Sequence, residues 1–221
     1  MSSSRTAPTS TTPSSSSSRS TPDPTSDGRV ALIACGAIAQ PAAAVVHRNA
    51  WPVDVHPLPP LLHNHPQKIA GEVRVLAERL APTYDRVVIG YADCGTYGAL
   101  DEVCRDLGLE RLPGLHCYDV YAGSSRLERF FDEQPGTYLL TDFLVRSFAR
   151  TVVQEMGLDR YPELRDTYFG NYTRVVWLAQ EPDDELRALA EDAAARIGLP
   201  LTVVDTGDHG LERALADLVR V

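Results

Sequence analysis

Residues 86–98 read RVVIGYADCGTYG: six apolar, aromatic or small residues behind an arginine, then an acid, a cysteine and a glycine-punctuated turn. An apolar run of strand length that ends in such turn chemistry is how a buried parallel strand delivers a reactive side chain to the rim of an α/β sheet. The reading puts Asp93 and Cys94 at that rim. Two more cysteines, Cys35 and Cys117, also follow apolar segments closely, so the question is whether three sulfurs from separate strands meet.

Working outward, the same pattern recurs. Arg29–Ala34 (RVALIA) reads as a first strand with Cys35 at its carboxyl end, and Gln40–Arg48 as a helix with Pro41 in its first turn. Val53–Leu58 is a second strand whose proline-rich exit carries LLHNHP. Ile69, Val73, Leu76 and Leu80 form a helical stripe within residues 66–80. After the 86–98 stretch come a helix over 97–107 closed by Gly108, a short apolar strand over 112–115, a helix ending near Asp132, and the strand GTYLLTDF from Gly136. A helix to Met156, a loop TYFGNYT, a strand over 174–179, a helix from Asp183 to Ile197, the strand LPLTVVD and a last helix from Asp208 complete the chain. This alternation predicts an α/β fold, a three-layer doubly wound and mostly parallel sheet of Rossmann or flavodoxin type with helices on both faces.

Composition sets the class. The chain has 221 residues; residues 1–27 are almost all Ser, Thr and Pro, which predicts a disordered tail ahead of a single α/β domain over 28–221. A net charge of −9 disfavours a nucleic-acid backbone as partner, and no apolar run reaches the roughly 18 residues of a membrane span. Four cysteines do not make a disulfide framework in a chain this long. Reduced thiols in the cytoplasm, and a small-molecule substrate, are expected.

Thiolates are soft ligands for zinc, iron or an iron–sulfur cluster, and three of them leave a position open for substrate. Cys35, Cys94 and Cys117 are therefore the candidate metal ligands, with His63 or His116 as a fourth ligand or as acid/base. The competing reading is that the cysteines are small buried residues near strand ends. Asp93 and Asp119 are candidates to orient an imidazole or act as bases, against the ordinary reading of loop carboxylates. Cys94 has a second role open to it, as a nucleophile at a helix start, with the Gly95–Thr96–Gly98 turn binding an anion. Tyr168 and Asn171, in an aromatic loop suited to closing over a ligand or burying a dimer contact, and Arg174 behind them are further candidates for ligand binding. Cys104 is assigned to helix packing, and Asp142 with Arg146 to helix capping and pairing.

The motifs ACGAIA, LLHNHPQKI, YADCGTYGALD, HCYDVYAG, GTYLLTDFLVRSF and YFGNYTRVVWLAQ, in that order, resemble the bacterial and archaeal family DUF1638, of unknown function, over nearly all of the chain from Val30 onward. The resemblance implies cysteine at the positions of Cys35, Cys94 and Cys117 and histidine at His63 and His116. It also implies a lean toward one-carbon and methyl-transfer systems, with a methyltransferase or corrinoid protein as partner. The expected function is a metal-dependent small-molecule enzyme of transferase or lyase type, with zinc or an iron–sulfur cluster. A metal-free enzyme using Cys94, and a non-enzymatic metal- or corrinoid-binding accessory protein, are the alternatives.

Overall fold

A computed structural model describes residues 28–220, and the tail expected over 1–27 falls outside them. Seven parallel strands and nine α-helices alternate within this span. The α/β expectation holds, but the strands divide between two sheets instead of forming one. The first sheet has the order β2 (Val53–Pro57), β1 (Val30–Ala34), β3 (Arg86–Gly90), β4 (Glu110–Arg111); the second has β5 (Thr137–Thr141), β6 (Arg174–Ala179), β7 (Leu201–Asp205).

Handedness explains the layering of the first sheet. From β1 the chain crosses to β2 in one direction, and from β2 through β3 to β4 in the other. Right-handed crossovers then place α1 (Ala39–Arg48) on one face and α2 (Ile69–Leu80) and α3 (Ala99–Leu107) on the opposite face. The C-terminal helix α9 (His209–Val219) returns to pack on α1 and β3, burying Leu211, Leu215 and Leu218 in this first core. The point where the crossovers diverge lies between β1 and β3, and such a switch point is where open α/β sheets bind ligands.

In the second sheet every step runs the same way, so α6 (Asp142–Phe148) and α8 (Asp184–Ile197) share a face and contact each other. Strand alternation is clean in β6. Val175, Trp177 and Ala179 join the core under α6 and α8, while Val176 and Leu178 point to a smaller cluster with Leu127 and the partly buried Phe130 and Tyr118. Those last residues belong to α5 (Ser124–Glu133) and α4 (Cys117–Ala122), which cover the other face. A division into two sheets follows from this cover: α4 and α5 occupy the place where a continuous sheet would join β4 to β5.

Three local features depart from the sequence expectations. The apolar segment 112–115 is loop, and its strand, β4, lies just before it. Tyr168 and Phe169 end a helix, α7 (Leu164–Phe169), instead of sitting in a loop. The helix expected to reach Met156 is α only to Phe148 and continues as a π-helical segment over Ala149–Gln154.

Asp142 does more than cap a helix. Its carboxylate accepts hydrogen bonds from the buried Trp177 indole Nε1 (2.8 Å), the Gln180 amide (3.0 Å) and the Glu181 amide (2.8 Å), tying the end of β5 to the end of β6. Thr141 is the residue that caps α6, accepting from the Leu144 amide, and Arg146 approaches Asp183, not Asp142. Replacing Asp142 by Ala strands three donors, one of them on a buried tryptophan, and is expected to cost about 2–3 kcal/mol in urea unfolding. An unchanged midpoint would show that these bonds do not hold the strand ends together.

Candidate active site

Three backbone hydrogen bonds assemble the site. The Cys35 amide donates to the Gly90 carbonyl (3.1 Å), extending the β1–β3 ladder by one residue; Asp93 N–H donates to Gly114 (3.2 Å), and Cys94 N–H to Leu115 (2.7 Å). The exits of β1, β3 and β4 are thus stitched side by side, and each carries one of the candidate cysteines. Gly36 is required beside the first of them, because a Cβ there would lie 2.7 Å from the Leu58 carbonyl and from Pro60 Cα, at the exit of β2.

All three cysteines are buried, and all four in the chain are free thiols. Burial pushes the Cys35 thiol up to about 11. Cys94 rises to about 12, through burial first and then the proximity of Cys35. Cys117 lies well above the ordinary thiol range through burial, Cys94 and Cys35. Cys94 is thus raised by Cys35, and Cys117 by both, as neighbouring thiols at adjoining strand exits are. His63, in a short 3-10 turn over Pro60–Asn64, places Nε2 3.2 Å from Cys35 Sγ, and burial followed by His116 lowers its pKa. With Nε2 unprotonated, the Cys35 thiol donates to it, and the pair is neutral on both sides.

One further group belongs here, and sequence reading passed over it. Tyr91, directly after β3, is 1 % exposed, and its hydroxyl is the single buried side-chain polar atom without a hydrogen-bond partner among the described residues. Its pKa is raised by burial and then by Cys35 and Cys94, with a hydrogen bond to Cys35 among the causes, so the Cys35 thiol is its neighbour although the geometry falls short of a full hydrogen bond. Buried hydroxyls without a partner are rare and call for an explanation.

The thiols open on a cavity of about 650 Å³ between the two sheets. Cys94, Gly95, Cys117, His63, His65 and His116 line the side toward the first sheet. Tyr138, Thr141, Phe143, Leu144, Thr151, Val152, Glu155 and Met156 line the other. The π-helical segment forms part of this second wall; such segments recur at functional sites.

Several expected site residues take other roles. Asp93 is turned into its own loop: Oδ1 accepts from the Thr96 hydroxyl (2.7 Å) and the Gly98 amide (3.0 Å), and Oδ2 from the Tyr97 amide (3.2 Å). Burial opposes its ionisation, but these donors outweigh it and hold the carboxyl below its usual range. Asp119 accepts from the Leu115 and His116 amides (2.9 Å each) and fixes the start of α4. Neither carboxylate lines the cavity, and neither Thr96 nor Gly98 does. Cys94 does not begin a helix, since α3 starts five residues later at Ala99; Cys117 is the cysteine that opens one, α4. Tyr168 and Asn171 are exposed and absent from the cavity wall. Arg174 sits at the opposite, amino-terminal end of β6, bonded to Thr137 and the Phe130 carbonyl. Cys104 is buried in α3, as its packing assignment requires.

The Asp93 turn is also strained. Cys94 and Tyr97 have φ of +50° and +52°, a region that costs a side-chain-bearing residue about 1 kcal/mol or more. Gly95 and Gly98, with φ of +80° and +89°, occupy the remaining left-handed positions.

Among the described residues, one trio of His, Cys, Asp or Glu has ligand atoms all within 4.8 Å of one another: Asp208, His209 and Glu212. Two of its members are occupied by Arg48 (2.8 and 3.0 Å). At least one pair within Cys35, Cys94 and Cys117 is therefore farther apart than 4.8 Å.

A family model described as a protein of unknown function, DUF1638, matches residues 57–215. The chain belongs to the DUF1638 family. The DUF1638 match contains His63, Cys94, His116 and Cys117, and starts after β1, so Cys35 joins the set through the fold. No curated protein matches the chain. Among the described residues no helix is long and apolar enough to cross a membrane.

The raised thiols fix a pH dependence. In the unfolded chain these cysteines ionise near 8.5; in the folded metal-free protein Cys35 ionises at about 11, Cys94 at about 12, and Cys117 is raised in the same direction. The folded state therefore holds more protons between those values, and its stability falls as pH rises through them, by up to about 1.4 kcal/mol per pH unit per thiol. Unfolding of reduced, chelator-treated protein between pH 8 and 10 is expected to show this decline, and a triple Cys35/Cys94/Cys117→Ser variant to flatten it. An equally steep decline in the triple variant would remove the thiols as its source.

Proposed function

We propose that this protein is an enzyme that holds a thiophilic metal centre through Cys35, Cys94 and Cys117 and acts on a small molecule in the adjoining cavity. The observation that carries this reading is the convergence of three buried thiols, Cys35, Cys94 and Cys117, at neighbouring strand exits beside the buried Tyr91 hydroxyl. Neutral thiols bury readily, but as metal ligands they must ionise, and burial alone makes that costly. A cation reverses the cost: it draws the thiols into their charged form and gives the hydroxyl a thiolate to donate to.

The donor set fits zinc, iron or an iron–sulfur cluster. A single tetrahedral ion with metal–sulfur bonds near 2.3 Å requires sulfurs about 3.8 Å apart, closer than at least one pair lies here. A cluster, in which separate irons take separate cysteines, suits the wider spacing better. When bound, such a centre supplies an open coordination position with Lewis acidity or an electron. The chain's own residues do the rest. His63, kept neutral by burial, holds the Cys35 sulfur through Nε2 and would orient it toward the centre. Tyr91 stays protonated and donates to sulfur. The walls formed by Phe143, Leu144 and Val152 keep water from the reacting molecule. Transfer or elimination on a small molecule in the reducing cytoplasm is the activity this arrangement serves.

The high thiol pKa values argue against a metal-free nucleophile. Cys94 at about 12 is almost wholly protonated near neutrality, whereas activated cysteines have lowered values.

Protein purified without chelators under anaerobic conditions is expected to carry roughly stoichiometric iron or zinc. Ser at Cys35, Cys94 or Cys117 should each abolish loading, Cys104→Ser should leave it intact, and Tyr91→Phe should retain the metal with a shifted absorption spectrum. Metal below about a tenth of an equivalent after anaerobic reconstitution would overturn the proposal.

A further inference from the structure

We infer that the organic ligand of the cavity between the sheets is an ammonium cation, seated against Glu155 and the aromatic wall of Tyr118, Tyr138 and Phe143. The inference rests on the reading of this cavity as the substrate chamber, and its test separates it from the metal proposal.

The charge of the lining decides the class. No lysine or arginine lines the cavity, so away from the proposed centre a carboxylate or phosphate would lose its water without meeting a positive side chain. Glu155 is the one carboxylate in the lining. Glu155 is exposed at the edge of the cavity, and among the described residues it has neither an ion-pair partner nor a side-chain hydrogen bond. A ligand that covers Glu155 must therefore neutralise it. The aromatic rings supply the second half of the recognition, because their faces attract cations and their area accepts alkyl groups. Tyr138 is held in place for this: its ring meets Phe169 and Tyr172 edge-on, with centroids 5.4 and 5.2 Å away. Met156, next to Glu155, adds an adaptable apolar surface.

The π-helical segment fits the same purpose. Thr151, Val152, Glu155 and Met156 all reach the cavity, although they span the end of the widened helix and the turn that follows it. A cavity of about 650 Å³ is suited to a ligand larger than methylammonium, with room for substituents on nitrogen.

Choline and 3,3-dimethylbutan-1-ol test the inference, since they share a shape and differ in the positive nitrogen; 4,4-dimethylpentanoate supplies the anion. In calorimetric titrations of the purified full chain, choline is expected to bind at least about tenfold more tightly than the alcohol, and the carboxylate not at all below about 10 mM. Glu155→Gln should bring choline and the alcohol within about threefold of each other, while Glu155→Asp keeps the preference and controls for folding. Equal binding of choline and the alcohol, preferred binding of the carboxylate, or no choline binding below about 10 mM would each overturn the inference. Cys35→Ser protein, altered outside the cavity wall and assayed for metal in the same sample, separates the two readings. A retained preference there supports the ammonium site independently of any metal; a preference lost with the metal would assign the ligand to the centre and overturn the role of Glu155.

Discussion

The site depends on the divergence of the chain at β1 and β3. Because β1 leads one way across its sheet and β3 the other, no crossover covers the space above their carboxyl ends, and the two exits lie next to each other at a switch point. The Cys35–Gly90 hydrogen bond fixes those exits in register, and the bonds from Asp93 and Cys94 to the 114–115 loop bring the exit of β4 beside them. Remove this stitching and three cysteines separated by 59 and 23 residues in sequence have no reason to share an environment.

Two carboxylates that look chemical in the sequence serve this same scaffold. Asp93 closes the turn that holds Cys94 in a left-handed conformation, and Asp119 closes the one before Cys117. Each spends its acceptor capacity on backbone amides within five residues. The turn strain at Cys94 and Tyr97 is thus offset by charge-assisted hydrogen bonds, and what is gained is the placement of a thiol at a cavity wall. The acids act on the chemistry by holding the ligands, one step away from any ligand in the cavity.

How far the sequence revealed this follows from which signals are local. Apolar runs and glycine stops identify β1, β3, β5, β6 and β7, and hence the cysteines at strand ends, because burial on both faces leaves its mark within each strand. The break into two sheets leaves no such mark: it depends on α4 and α5 filling the gap, and α4 is six residues whose first, Cys117, reads equally well as a strand end. The strand expected at 112–115 failed for a related reason, since an apolar stretch over a cavity rim and an edge strand share a composition. Tyr91 passed unnoticed because an aromatic residue after an apolar run looks like core; only its unpaired hydroxyl marks it. The aromatic loop beyond Leu164 attracted attention for its composition, yet its ordered members Phe169 and Tyr172 support Tyr138 from behind the wall.

The second sheet explains why a cavity forms at all. Its edge strand β5 faces the thiols, and Tyr118, one residue after Cys117, reaches across to donate its hydroxyl to the Leu139 carbonyl (3.4 Å). That contact links a cysteine-bearing helix to the opposite wall. Ligand wall and thiol set are therefore mechanically joined by two adjacent residues of α4. Each side chain of that pair faces a different sheet: the thiol toward the exits of β1 and β3, the phenol toward β5.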